Sequence, residues 1–212
     1  MNLPDIALQT AYLRVSWTLV VSAAVLLAWG RIARTPASPA RTAGVVGAVA
    51  LLAHLPGTAS FVHWLGLAFQ APSGLLTAWC TLILVAAARQ RPREAFPPFA
   101  AWAMALCGTV LYVDTFGWSA FGLYGIGFNG SVASASAIAL AAAAALAVAF
   151  SSERQFARAV LLALALHMVL RLPTGNLWDA LLDPILWLIA CGAAVGRLGA
   201  GRWRAKSPPS ER

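Results

Sequence analysis

Residues 132–150 read VASASAIALAAAAALAVAF, a run of nineteen residues without a charged side chain. Runs of this kind are typical of helices solvated by lipid, whose backbone N–H groups must all be satisfied within the helix itself. Six further apolar runs precede or follow it, separated by short polar clusters. The sequence therefore predicts an all-α integral membrane protein with about seven transmembrane helices, at residues 10–30, 43–55, 73–88, 97–113, 132–150, 158–172 and 184–197.

The composition of the whole chain favours the same fold class. Of its 212 residues, 60% are hydrophobic and only 10% are charged, and the mean hydropathy is +0.76. Soluble domains carry roughly 25% charged residues. A soluble helical protein would also need a polar outer face on most of its helices, and the apolar runs lack such faces.

Basic residues are distributed unevenly between the two sides of the predicted bundle. Thirteen of the fifteen follow the first, third, fifth and seventh helices, and only Arg14 and Arg171 lie on the other side. The positive-inside rule makes the basic side cytoplasmic. The N-terminus is therefore predicted to lie outside and the C-terminus inside. Residues 1–201 would form a single bundle, and residues 202–212 a short, disordered, basic tail.

The choice of basic residue indicates the source and the partners. Arginine outnumbers lysine fourteen to one and alanine is abundant, as in GC-rich bacterial genomes, so we expect a bacterial inner membrane protein. The isoelectric point near 10.7 does not indicate nucleic acid, because topology explains basic residues in loops beside apolar runs. The expected partners are the lipid bilayer and other membrane subunits, with a small-molecule or lipid substrate as an alternative.

Two helical hairpins resemble each other in sequence. Arg41 precedes Pro56 in the first, and Arg158 precedes Pro173 in the second, and both pairs are offset by 117 residues. An internal repeat would bring the outward loops together around a pseudo-axis, where transporters place their sites. The alternative is that Leu-Pro and tryptophan recur independently at membrane interfaces.

The helices that end at these prolines are short. Arg41 to Pro56 spans only about 21 Å at 1.5 Å per residue, against ~30 Å for the hydrocarbon core. Residues 58–71 and 174–183 therefore either line an outward-opening cavity or form flat interfacial helices anchored by Trp64 and Trp178.

His167 and Arg171 are four residues apart and share one face of the sixth predicted helix. A charged side chain at that depth needs a partner. We expect Arg171 to point into the bundle and pair with Asp114 or Asp179, and the alternative is that it snorkels to the headgroups.

Asp179 and Asp183 are also four residues apart and are placed to face one pocket as an acid pair. Asp183 precedes Pro184, however, and aspartate followed by proline is an ordinary helix start. We predict that Asp183 caps the last helix, as Ser73 caps the third. Asp179 has no such capping role and is therefore the better candidate for a functional carboxylate.

The outward loops hold the most varied side chains. The loop from Asp114 to Ser131 places Trp118 and other aromatic residues between five glycines, which suits either a mobile lid or a loop resting on headgroups. The candidates for acid–base chemistry are Asp114, His167 and Asp179. Those for binding substrate are His54, Trp64, Trp118, Arg171, Asn176 and Trp178.

No metal or cofactor is expected. His54 and His167 lie at depths that differ by about 6 Å, which does not suit bis-histidine haem ligation. The chain has no His-x-x-x-His or Cys-x-x-Cys pair and no nucleotide-binding motif.

Three function classes remain. The first is a membrane component of a cell-envelope assembly that presents aromatic periplasmic loops to a partner or lipid. The second is an intramembrane enzyme acting at the periplasmic leaflet on a lipid-linked or anionic substrate bound by Arg171. The third is a small transporter or channel. The first is favoured, because the catalytic groups are few and form no recognisable pair.

Overall fold

The computed structural model of the chain describes residues 4–92, 96–119, 121–150 and 154–206, and only the backbone for residues 199–206. Within these ranges there are ten α-helices and no β-strands. Seven of the helices are long: α1 (Ile6–Ala33), α2 (Pro39–Ala53), α4 (Gly74–Ala88), α5 (Pro98–Thr115), α7 (Gly130–Phe150), α8 (Arg154–Leu170) and α10 (Pro184–Lys206). Three short helices lie in the connections after α2, α5 and α8: α3 (Phe61–Phe69), α6 (Leu123–Ile126) and α9 (Leu177–Leu181).

The all-helical prediction is confirmed, and each of the seven predicted segments is a helix. Among the helices of the described ranges, only α1 and α7 are long and apolar enough to cross a membrane when judged by length and composition. The number of membrane spans therefore stays a prediction. Helix α10 extends beyond the predicted end at residue 197 to Lys206, so residues 202–206 of the predicted disordered tail are helical. Residues 207–212 lie outside the described ranges.

Regular helix ends before both of the prolines singled out in the sequence. Helix α2 ends at Ala53 and α8 at Leu170, ahead of Pro56 and Pro173. The residue before a proline is disfavoured in helical conformation, and proline itself has no N–H to donate. Both helices thus end two residues before the predicted ends at residues 55 and 172. The stretches that follow contain the short helices α3 and α9.

The neighbours of each helix in space are often distant in the chain. Helix α4 packs against α1 and α8, α8 also packs against α7, and α5 packs against α10. Gly74 at the start of α4 permits one close approach, because a Cβ there would lie 3.0 Å from the backbone oxygen of Ala180 and 3.4 Å from Ala163.

Trp79, Phe96 and Phe156 form a cluster of edge-packed rings with centroids 5.3–5.8 Å apart.

Large apolar side chains cover the outside of the bundle. In α7 the buried residues are three alanines, whereas Ile138, Leu146 and Phe150 are exposed. Phe99 on α5 and Val169 on α8 are likewise exposed. Exposed apolar side chains of this size on several helices are what the predicted lipid environment would favour.

Candidate functional site

Three chain connections meet at one end of the bundle, which we call the loop end. Between them lies a cavity of about 340 Å³, bordered by the end of α3, by α5 and α6, and by the segment from Pro173 to Pro184. The polar residues of its lining are Gln70, Tyr112, Thr115, Tyr124, Thr174, Asp179 and Asp183. An internal repeat would bring these connections together, and all three contribute residues to the lining of this cavity.

Asp179 is held by two hydroxyl groups. The hydroxyl of Tyr124 lies 3.0 and 2.8 Å from the two carboxylate oxygens, and the hydroxyl of Thr174 donates to Oδ2 at 2.5 Å. Burial and the nearby charge of Asp179 raise the pKa of Tyr124. The phenol therefore remains a proton donor at all physiological pH values.

Asn176 joins helices α6 and α9. Its side-chain amide donates to the carbonyl oxygen of Tyr124 at 3.2 Å, and its Oδ1 caps α9 by accepting from the N–H of Trp178 at 2.9 Å. The residue is completely buried. Its predicted role in substrate binding has no geometric support, because its polar atoms are engaged in holding the backbone.

Gly127 leaves the space that this docking requires. A Cβ at position 127 would lie 1.8 Å from Oδ1 of Asn176, and the carbonyl oxygen of Gly127 accepts from the N–H of Leu177 at 3.1 Å. Trp178 completes the contact by donating from Nε1 to the carbonyl oxygen of Leu123 at 3.0 Å. The loops after α5 and α8 are therefore packed into one unit.

Asp183 connects the N-termini of two long helices. Its Oδ1 accepts from the N–H of Leu186 at 2.8 Å, so it caps α10 as predicted. Its Oδ2 accepts from the N–H of Ser73 at 2.7 Å, and the hydroxyl of Ser73 caps α4. Asp183 as a whole residue is only 6% exposed. Asp179 and Asp183 line one cavity, as the sequence suggested, but the two backbone N–H donors give Asp183 a structural role.

Asp114 organises the loop that follows α5. Its Oδ1 accepts from the Ser119 hydroxyl at 2.8 Å and from the N–H groups of Phe121 and Gly122, both at 3.1 Å. Asp114 is buried and is not part of the cavity lining. Its predicted acid–base role therefore has no support from this cavity.

The predicted ion pair of Arg171 is wrong. Within the described residues, Asp114 and Asp179 accept hydrogen bonds from hydroxyl and backbone groups, and neither pairs with Arg171. Arg171 follows the last residue of α8, has φ 56° and donates its N–H to the carbonyl oxygen of His167 at 2.9 Å. Neither Arg171 nor His167 lines the loop-end cavity. His167 is buried, and its Nδ1 has no hydrogen-bond partner.

The remaining binding candidates are dispersed. His54 is exposed and its Nδ1 lies 2.8 Å from the carbonyl oxygen of Ala50. Trp64 is 58% exposed and donates from Nε1 to the carbonyl oxygen of Thr58. Trp118 is 82% exposed. Only Trp178 and Asp179, of the nine predicted site residues, line the cavity.

Sequence reasoning did not select Tyr112, Tyr124 or Thr174, which do line the cavity. Thr174 stands five residues before Asp179. A hydroxyl so near an isolated aspartate in the sequence was the one indication that Thr174 belongs to the site. Within the described residues no group of three His, Cys, Asp or Glu side chains is placed to hold a metal ion.

Comparison with known proteins assigns no relatives. No protein-family model matches this chain, and neither a curated protein nor a solved structure matches it.

Proposed function

We propose that this chain is a multi-pass protein of a bacterial inner membrane, with the loop end in the periplasm and the basic segments in the cytoplasm. The exposed apolar side chains along the helices and the separation of basic residues from the loop end support this placement. Its function is to present a fixed aromatic surface to a partner protein of a cell-envelope assembly.

The loop after α5 carries this proposal. Phe116, Trp118 and Phe121 are 73%, 82% and 78% exposed, although such rings are normally buried. The backbone that carries them is fixed by the hydrogen bonds to Asp114. Rings held in position but left uncovered are the usual anchors of a protein interface, where aromatic residues supply most of the binding energy.

The alternative of an enzyme at the periplasmic leaflet has lost its main support. That alternative required Arg171 to bind an anionic substrate beside Asp114, His167 or Asp179. Of these four residues, only Asp179 lines the loop-end cavity. Asp114 and Asp183 are occupied by backbone N–H groups. The assembly component therefore remains the favoured function.

Photocrosslinking in living cells tests the proposal. A benzoyl-phenylalanine at position 118 should form an adduct with one protein, which gel electrophoresis and mass spectrometry would identify. The same probe at Val169, which is exposed on α8 far from the aromatic loop in sequence, is the control and should not form that adduct. An identical set of adducts at both positions would refute a specific partner surface.

Reporter fusions test the topology. Fusions after Arg93 and Arg204 should report the cytoplasm, and a fusion near Gly125 should report the periplasm. The reason is that thirteen of the fifteen basic residues lie on the side that carries Arg93 and Arg204. A periplasmic signal at Arg93 would contradict the proposed orientation.

A further inference from the structure

The loop-end cavity has a charge opposite to that of the chain. Its lining includes Asp179 and Asp183, two of only seven acidic residues in a chain with formal net charge +8. None of the fifteen lysines and arginines is among the described lining residues. Walls of low polarity around such charges concentrate their field inside the cavity.

Both carboxylates interact with neutral donors. Asp179 accepts from the hydroxyl groups of Tyr124 and Thr174, and Asp183 accepts from two backbone N–H groups. Hydrogen bonds of this kind stabilise a carboxylate without neutralising it. Within the described residues, the cavity lining thus includes two carboxylates and no lysine or arginine.

Aromatic rings form much of the remaining wall. Phe69, Tyr112, Tyr124 and Trp178 all line the cavity. The Tyr112 ring packs edge-on against Trp187 with centroids 5.2 Å apart, and hydrogen bonds fix both Tyr124 and Trp178. Rings held in advance around a space bind a cation through their π faces at little entropic cost.

From these observations we infer that the loop-end cavity is a binding site for a small organic cation of the alkylammonium or quaternary ammonium class. The carboxylates of Asp179 and Asp183 supply the charge and the aromatic rings supply the apolar contact. The volume of about 340 Å³ is at the lower end of the ~300–1,000 Å³ of ligand pockets, which suits a compact ligand. This site is separate from the aromatic surface at Phe116, Trp118 and Phe121.

Calorimetry on the full chain in a neutral detergent tests the inference. Choline should bind saturably, whereas its neutral isostere 3,3-dimethyl-1-butanol should not, because the two differ mainly in charge. Asp179→Asn keeps the size of the side chain and its oxygen acceptor but removes the charge, and should weaken choline binding by roughly tenfold or more. Tyr112→Leu should weaken it by roughly threefold to thirtyfold through loss of a ring.

Asp5→Asn is the matched control. It removes the same charge from an exposed helix cap outside the cavity, so choline binding should be unchanged. If Asp179→Asn fails to fold, Tyr112→Leu decides, because Tyr112 is outside the hydrogen-bonded network of Asp179. Absence of saturable choline binding, equal binding of the neutral isostere, or wild-type binding by Tyr112→Leu would each overturn the inference.

The cation could come from solution or from a lipid headgroup, and nanodiscs distinguish these sources. Discs of phosphatidylglycerol present no cationic headgroup, and choline should bind to the protein in them. If adding phosphatidylcholine weakens choline binding, the site takes headgroups. If it does not, the site takes soluble cations. Either result supports recognition of a cation, and failure of choline to bind in phosphatidylglycerol discs would refute it.

Discussion

The loop end and the opposite end of the bundle use charged side chains differently. At the loop end, Asp114, Asp179 and Asp183 are all engaged by hydrogen-bond donors from other segments. At the opposite end, a cavity of about 470 Å³ is bordered by Arg31, Arg34 and Arg91, which are exposed. The aspartates determine how the loops fold, whereas these arginines stay available to solvent or headgroups.

The difference shows that the few charged residues of an apolar chain can have two separate roles, one in holding loops together and one at the exposed surface. In the proposed membrane placement, exposed arginines at one end would set the orientation through their number, and the position of any one of them would matter little. Aspartates at the other end act through individual contacts, so each position matters. Substitutions should therefore have large effects at loop-end residues that make such contacts and small ones at residues that do not.

Asp183→Ala should have the largest effect on stability. It leaves two backbone N–H groups, those of Ser73 and Leu186, without their acceptor. A buried group that loses its partner costs about 1–3 kcal/mol, so we expect a loss of roughly 3–5 kcal/mol in the free energy of unfolding. Thermal unfolding in detergent measures it. Asp5→Ala removes an exposed cap and should cost only about 1 kcal/mol. Equal effects of the two changes would refute the special role of Asp183.

Gly127→Ala should have the next largest effect. The new Cβ would lie 1.8 Å from Oδ1 of Asn176, so α6 and α9 would separate, at a cost of about 1–3 kcal/mol. Limited proteolysis should then cut the loop between α5 and α7 faster. Gly125→Ala is the control, since a Cβ there has nothing within 4 Å. Matching cleavage rates in the two variants would contradict the docking of α6 on α9.

Arg171→Ala should have the smallest effect. Arg171 is partly exposed and has no ion pair with Asp114 or Asp179, so the free energy of unfolding should change by less than about 0.5 kcal/mol. Chemical denaturation provides the measurement. A loss above ~3 kcal/mol would instead indicate the buried ion pair that the sequence had suggested.

The long helices were predictable because their signal is local. Apolar runs fix where a helix lies, and the prolines at 56 and 173 fix where it stops. The cap at Asp183 was predictable for the same reason, since Asp-Pro is a helix start by itself. Its second hydrogen bond, to Ser73, was not, because it depends on how α10 packs relative to α4.

The site was less predictable, because its chemistry depends on which loops touch. Arg171 and Asp179 are opposite charges on neighbouring turns, which suggested an ion pair. The structure instead gives Asp179 the hydroxyl of Tyr124, 55 residues away, and that of Thr174. Short helices such as α6, with four residues, have no periodic pattern to reveal them, so the docking of α6 on α9 could not be read from the sequence.

The hydrogen bond from Ser73 to Asp183 also means that the start of α4 cannot be completed until the end of the chain has been synthesised. Ser73 and Asp183 are 110 residues apart, so a ribosome would release α4 long before its acceptor exists. During that interval the N–H of Ser73 has to take water or another group as its acceptor. A product truncated before residue 183 would keep six of the seven long helices and lack the acceptor of the Ser73 N–H.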